Sequence, residues 1–511
     1  MPSPSYNWTG FYVGLNAGLG GGVARPAYDL SAPSQFGGYP GFSNTDRQTH
    51  QFGGAFAGAQ AGYNYQFRNN VVLGVESDFQ WSNIGVSRRN DSAIVFDTTS
   101  AFPISALTAT EMRITQNWFG TTRLRLGYPF ADRLLAYVTG GVAYSQFTAS
   151  NWGTGSELSP FPGVYSHISG ATTSTRFGWV AGAGFEYALN SRLSLKSEYL
   201  YSEYAGITAP YLDTELSTPP VTSGTFSTGT LGIHLVRAGL NYKLGETAPA
   251  VDASQSVITP NWSPSWGGFY AGVNGGYGAG TAKPSLSQRT DHEVGAFPFF
   301  AFSEIDTSGV SQTLRSGGFL AGGQLGYNRQ LPNRFVAGVE TDLQWSGVRA
   351  TSLSNISGVY NSPSTNTFVS NSNLTVGQNW FGTTRLRLGY QPFDRLLAYA
   401  TGGVAYSGFT ANNSGASNDT ANGVGTTSGS RGATRLGWAV GAGAEYAIAE
   451  NLSFKTEYLY TQYQGFSVPY QHAFTAPFFF TDATQGSLST GVLGIHLVRA
   501  GLNWKLGEAG H

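Results

Sequence analysis

This chain is written twice. Asn117–Tyr128 reads NWFGTTRLRLGY and returns letter for letter at Asn379–Tyr390; Leu231–Asn241 (LGIHLVRAGLN) returns at Leu493–Asn503, and Asp132–Tyr137 (DRLLAY) at Asp394–Tyr399. Trp8–Tyr12 (WTGFY) opens the first copy and Trp266–Tyr270 (WGGFY) opens the second. A repeat of this kind constrains architecture before any local reading, because a fold available to one copy is available to the other. The copies span residues 6–245 and 266–508, and the Ala-, Pro- and Ser-rich stretch 246–265 reads as a linker.

Within each copy apolar residues recur at every second position, the strand period. Phe11, Val13, Leu15, Ala17 and Leu19 share one face; Tyr12, Gly14, Asn16, Gly18 and Gly20 share the other. About eight segments alternate this way in copy one: near 11–21, 52–67, 71–86, 112–128, 133–148, 174–189, 192–204 and 230–244. Copy two repeats the set from Phe269 to Leu506. Connections alternate between tight turns (68–70, 129–132, 190–191) and long loops (23–51, 87–111, 149–173, 205–229), so all long loops leave one end of an up-and-down meander. That asymmetry marks outer-membrane barrels, with both termini of each copy in the periplasm.

Composition agrees. Only 11% of the 511 residues are charged, against the usual ~25%. No apolar run reaches the length of a membrane helix, whereas a spanning strand needs only about 9 to 11 alternating residues. A net charge of -1 leaves no basic stripe for nucleic acid. Zero Cys excludes disulfides and cysteine-ligated metal. No signal-peptide pattern is visible in MPSPSYNWTG.

The charges within strands fall on one face. Copy one places Glu76, Asp78, Arg123, Arg125, Glu186, Lys196, Glu198, Arg237 and Lys243 opposite apolar neighbours. Copy two places Glu340, Asp342, Arg385, Arg387, Glu445, Lys455, Glu457, Arg499 and Lys505 likewise. Acids and bases gathered on one face are expected to pair inside a lumen, with apolar side chains facing lipid. Phe67, Trp81, Tyr128, Tyr187 and Tyr242 are expected in interfacial girdles. The expected fold class is therefore all-β: two tandem eight-stranded antiparallel transmembrane barrels. One sixteen-stranded barrel is the alternative.

WTGFYVGLNAG at Trp8–Gly18, the NWFGTTRLRLGY segment and HLVRAGLNYKLG at His234–Gly245 resemble the small outer-membrane immunogenic β-barrel proteins of alphaproteobacteria, grouped with OmpA-like and opacity-type barrels. The resemblance implies location in the cell outer membrane. Its implied partners are membrane lipid, lipopolysaccharide and the barrel-assembly machinery, with surface loops that meet a ligand or a host cell. Family members usually form one barrel and end on an aromatic residue; here the repeat is tandem and GEAGH follows Leu506.

Chemical motifs are sparse. Of seven His, His234 and His496 fall in strands, while His50, His167, His292, His472 and His511 are expected in loops or at the terminus, without metal spacing. His234 as a lipid-hydrolase base has no companion Ser and acid assignable by spacing. GAGFE at Gly182–Glu186 sits in an alternating strand with no helix following, so a phosphate loop fails. The reading is a non-enzymatic envelope protein without cofactor or metal, its lumen charge-paired and at most slowly leaking. The alternatives are a passive diffusion porin and a loop-mediated adhesin.

Overall fold

The structure, a computed structural model, describes residues 6–32, 42–97, 104–131, 133–158, 165–215, 221–245, 264–293, 303–311, 314–361, 365–393, 395–419, 423–475 and 481–506. Period-two alternation becomes antiparallel strand throughout. In copy one the strands Gly10–Ala24, Phe42–Gln66, Val72–Ser82, Ile104–Ala131, Leu134–Leu158, Tyr165–Ala188, Leu193–Tyr204 and Leu231–Lys243 pair in sequence. Leu231–Lys243 then pairs back onto Gly10–Ala24, from Tyr12 opposite Lys243 to Val23 opposite Gly232. Both edges of every strand in this circuit are used, so the copy closes on itself.

Copy two repeats the circuit through Gly268–Ala282, Leu314–Gln330, Phe335–Ser346, Thr365–Phe393, Leu396–Asp419, Gly423–Ala449, Leu452–Tyr463 and Leu493–Leu506. It closes where Gly268–Ala282 meets Leu493–Leu506. The linker 246–265 lies largely outside the described residues. Tight turns join strands at one end. The first is closed by Phe67 N–H donating to Val71 O at 2.8 Å, with Asn70 at φ 66°, where a left-handed backbone suits Asn.

The other end corrects the sequence reading. Much of what reads as long loop is strand: Ala27–Ala32, Gly85–Asp97, Thr208–Glu215 and Val221–Ser227 are ribbons, and the strands of 104–131 and 134–158 run far past any membrane. Such Ser-, Thr- and Gly-rich segments carry little strand signal of their own; their neighbours in the sheet supply the pairing partners. Accordingly His50, His167, His292 and His472 lie in strands, not loops, and His511 lies outside the described residues. The loop read at Asn412–Gly432 is mainly the hairpin of Leu396–Asp419 and Gly423–Ala449.

Alternation also breaks inside a strand. At Gln116/Trp118 a β-bulge inserts Asn117, whose side-chain amide donates to Thr148 Oγ1 at 2.9 Å. Below the bulge the odd residues Phe119, Thr121, Arg123 and Arg125 point inward; above it the even residues Gln116, Ile114 and Met112 do. The extra residue reverses the faces, as a bulge must. Copy two repeats this at Gln378/Trp380.

Two aromatic belts ring the exterior. Phe11, Tyr65, Phe67, Tyr128 and Tyr242 mark the turn side; Trp81, Phe177 and Trp179 mark the other, about one membrane thickness away. Tyr187 is not in the belt: it is buried against Tyr446, ring centroids 4.3 Å apart, where the two barrels touch.

Candidate functional site

The lumen of each barrel is filled in three layers. At the turn-side mouth the chain preceding the first strand folds inward, so that Trp8 packs on Val72, Leu135, Tyr137 and Ala188. Its backbone N–H donates to Gln66 Oε1 at 2.9 Å. Trp266 does the same in copy two, on Val336, Leu397 and Ala447. The WTGFY and WGGFY motifs are therefore plugs as well as strand openings.

Above the plug lies the charge network. Strands with charged residues at alternate positions bring Glu76, Asp78, Arg123, Arg125, Glu186, Lys196, Glu198 and Arg237 together, each less than 5% exposed. Arg123 bridges three acids: Nη2 donates to Glu76 at 2.5 Å and Asp78 at 3.0 Å, and Nη1 to Glu198 at 2.9 Å. Arg237 spans Asp78 at 2.9 Å and Glu198 at 2.5 Å. Lys196 Nζ meets Glu76 at 2.6 Å, and Arg125 joins Glu186 at 2.6 Å to Glu76 at 3.3 Å. The set holds four acids and four bases. It is charge-balanced without Lys243, whose Nζ, half-exposed at the mouth, donates to Asn7 O at 2.8 Å and lies over the Tyr6 ring, pinning the plug.

Copy two reproduces the network almost atom for atom. Arg385 bridges Glu340 (2.6 Å), Asp342 (3.0 Å) and Glu457 (2.9 Å). Arg387 reaches Glu445 at 2.7 Å, Lys455 reaches Glu340 at 2.6 Å, and Arg499 reaches Asp342 at 2.7 Å and Glu457 at 2.5 Å. Lys505, like Lys243, stands at the mouth, lining a small recess with Trp266 and Glu445.

Neutral residues extend the hydrogen bonding, and charge counting alone overlooks them. The Tyr12 hydroxyl donates to Glu76 at 2.7 Å and accepts from Arg125 at 2.7 Å; the Tyr137 hydroxyl donates to Glu198 at 3.0 Å. Thr121 donates twice to Asp78, and Ser194 and Asn241 donate to Glu186. All share the inward parity of the charges, which was the available signal. Arg125 Nε and Arg237 Nη1 stay buried without a hydrogen-bond partner, yet every charged group of the set has an opposite charge beside it; removing one member leaves uncompensated charge.

The third layer corrects the expectation of a wholly polar lumen. Beyond the charges, Phe56, Phe119, Phe147, Leu200, Tyr204 and Leu235 form an apolar core that continues outward through Ile114, Met112 and Phe226. The reason is height. Inside the membrane the exterior must be apolar, whereas the extensions stand in water and pack as a soluble barrel does, apolar within.

The histidines offer little chemistry. His234 Nδ1 lies 2.8 Å from the Tyr199 hydroxyl on the outer surface of barrel one, and His496 Nδ1 lies 2.7 Å from Tyr458 on barrel two. Each is engaged by a tyrosine. No group of three His, Asp or Glu fit to hold a metal occurs among the described residues.

Comparisons with known proteins give consistent matches. The model of the outer membrane protein beta-barrel domain matches residues 1–243 and again 248–497. The 31 kDa outer-membrane immunogenic protein of Brucella melitensis is 35% identical over 251 residues, 47% of this chain and 86% of that protein. The 22 kDa outer membrane protein of Rhizobium leguminosarum is 29% identical, over 39% of this chain and 66% of that one. The solved outer membrane protease of Escherichia coli aligns over 82% of this chain and 97% of its own at TM-score 0.23 and 8% identity, a likeness that carries no argument.

Proposed function

Because the chain belongs, twice over, to the outer membrane protein beta-barrel family and is an outer-membrane protein, we propose that its two barrels are sealed envelope-structural elements, not pores. The observation that carries this is the stacked filling of each lumen: Trp plug, eight-charge network and apolar core in series. An eight-stranded barrel has an interior just wide enough for side chains, and here side chains fill it. Neither barrel is an enzyme in this reading, and neither binds a cofactor. Its partners are outer-membrane lipid and lipopolysaccharide at the belts, the assembly machinery during insertion, and a ligand or host surface at the ends of the extensions.

Planar-bilayer recording of the purified chain tests the reading. Silence or rare small events are expected; steady openings of nanosiemens size would establish a diffusion porin instead. The envelope role predicts that cells lacking the protein become more sensitive to detergent and to bulky antibiotics. Unchanged sensitivity would remove it.

A further inference from the structure

The contact between the barrels has a symmetry that neither barrel requires for its own closure. In the extensions Ser43–His50 pairs with Ser352–Val359, and Asp91–Asp97 pairs with Ile305–Ser311. Ser311 follows Arg47 by 264 residues, and Asn355 follows Asp91 by the same 264. The repeat-equivalent bridges Arg47–Asn355 and Asp91–Ser311 are both present, as are the next pair, Asp46–Ile356 and Ser92–Val310. Each copy thus presents the same two segments, and the first segment of each copy meets the second segment of the other in the same register.

The lower contacts obey the same rule. Tyr187 and Tyr446, equivalent in the YAL and YAI of the two copies, touch each other. Leu19 and its equivalent Tyr277 lie in one apolar cluster, with Val236 and its equivalent Val498 packed against it. Small residues let the backbones approach: a Cβ at Gly53 would lie 2.8 Å from Ser316 O, and one at Gly21 2.6 Å from the Tyr277 hydroxyl. A surface on which equivalent residues meet about a two-fold axis is an isologous interface, the kind that joins identical subunits. The symmetry is imperfect: copy two carries Phe319, packed on Tyr199 and His234, where copy one carries Ala55, and Arg315, donating to Gly53 O at 3.0 Å and Asn83 O at 2.7 Å, where copy one carries Gln51.

We propose that this face is a self-association surface whose partner is a second copy of the repeat, and that the tandem chain is a homodimer of barrels made permanent by its linker. The two sets of extensions then form one continuous sheet, a single outer platform carried by two membrane anchors. This holds whether or not the lumens conduct.

The chain contains no cysteine, so introduced thiols are unique. Residues directly opposite on paired strands have Cβ atoms about 4.5–5.5 Å apart, within reach of a short bifunctional maleimide. The full chain is fitted with a protease site at 251–256 and with Arg47→Cys plus Asn355→Cys, or Asp91→Cys plus Ser311→Cys. It is cross-linked in outer membranes, cut, and run on a denaturing gel. Both pairs are expected to hold the halves together to a similar extent, and single-cysteine variants to release them. Without cross-linking, the cut halves are expected to co-elute in mild detergent. Release of the halves in both double variants, or their separation on elution, would overturn the proposal. So would cross-linked species of two intact chains, since the face would then be free to pair between chains.

Discussion

Arg123 shows what a single residue does in this protein. Its guanidinium is 1% exposed and is shared among Glu76, Asp78 and Glu198. Replacing it with Leu fills the space but leaves three carboxylates short of positive charge inside a barrel that excludes water. Breaking a buried pair in this way costs about 3 to 5 kcal/mol. Arg123→Leu is therefore expected to lower the unfolding midpoint in detergent and the temperature of the heat-modifiable gel shift, and Arg385→Leu to do the same through copy two. An unchanged midpoint would mean that the carboxylates find other partners. Lys243 is the instructive contrast, for its parity is the same as that of Arg237 and Asn241, yet it lies at the mouth and binds a backbone carbonyl. Parity tells which face a side chain is on; it does not tell at what height.

Each strand has to carry large inward residues through a narrow cylinder, and glycines on neighbouring strands make that possible. A Cβ on Gly62 would collide with the Tyr12 hydroxyl, and one on Gly184 with the Tyr137 hydroxyl. Both tyrosines belong to the charge network, so these glycines are spacers for it. Gly62→Val should force Tyr12 away from Glu76 and Arg125 and destabilise the barrel by about 1 to 3 kcal/mol, the usual range for overpacking. Urea titration in micelles checks this, and a change below about 0.5 kcal/mol would show that Tyr12 relaxes without penalty. The bulge at Asn117 works at this scale too. By exchanging the faces of one strand, it allows Arg123 and Met112, an odd and an even residue, both to point inward.

For the molecule as a whole the junction between barrels is one place where pH acts. His50 lies beyond the outer aromatic belt, 1% exposed, on a strand opposite Ser352 of the other copy, with Nε2 2.7 Å from Gln48 Oε1. Burial, reinforced by the nearby positive charge of Arg88 and opposed by a hydrogen bond with the backbone of Thr351, lowers its pKa to about 3. The unfolded value is about 6.5, so between these limits the unfolded chain binds the extra proton and the folded chain does not. The His50 contribution to stability is then full above about pH 6.5 and declines as pH falls toward 3, by at most about 5 kcal/mol at about 1.4 kcal/mol per unit. His50→Leu should flatten that decline. Equal acid sensitivity in variant and parent, measured as unfolding midpoint against pH, would place the acid response elsewhere.

Two features were determined by sequence alone: that the chain is built twice from strands, and which residues of FGTTRLRLGY, LKSEY and HLVRAGLN face the lumen. Both follow from local rules, since the duplication is literal and a strand's side chains must alternate. Tertiary structure decided the rest. The segments read as loops became ribbons by pairing with one another, as hairpins within one connection and across connections far apart in sequence, such as Val221–Ser227 on Ala27–Ala32. The outer half of the lumen became apolar because solvent replaces lipid around the extensions, a change of surroundings that alternation does not record. Tyr187 left the aromatic belt because a second barrel covers it. Contacts between residues hundreds of positions apart depend on how closed cylinders meet, and no periodicity within either copy encodes that meeting.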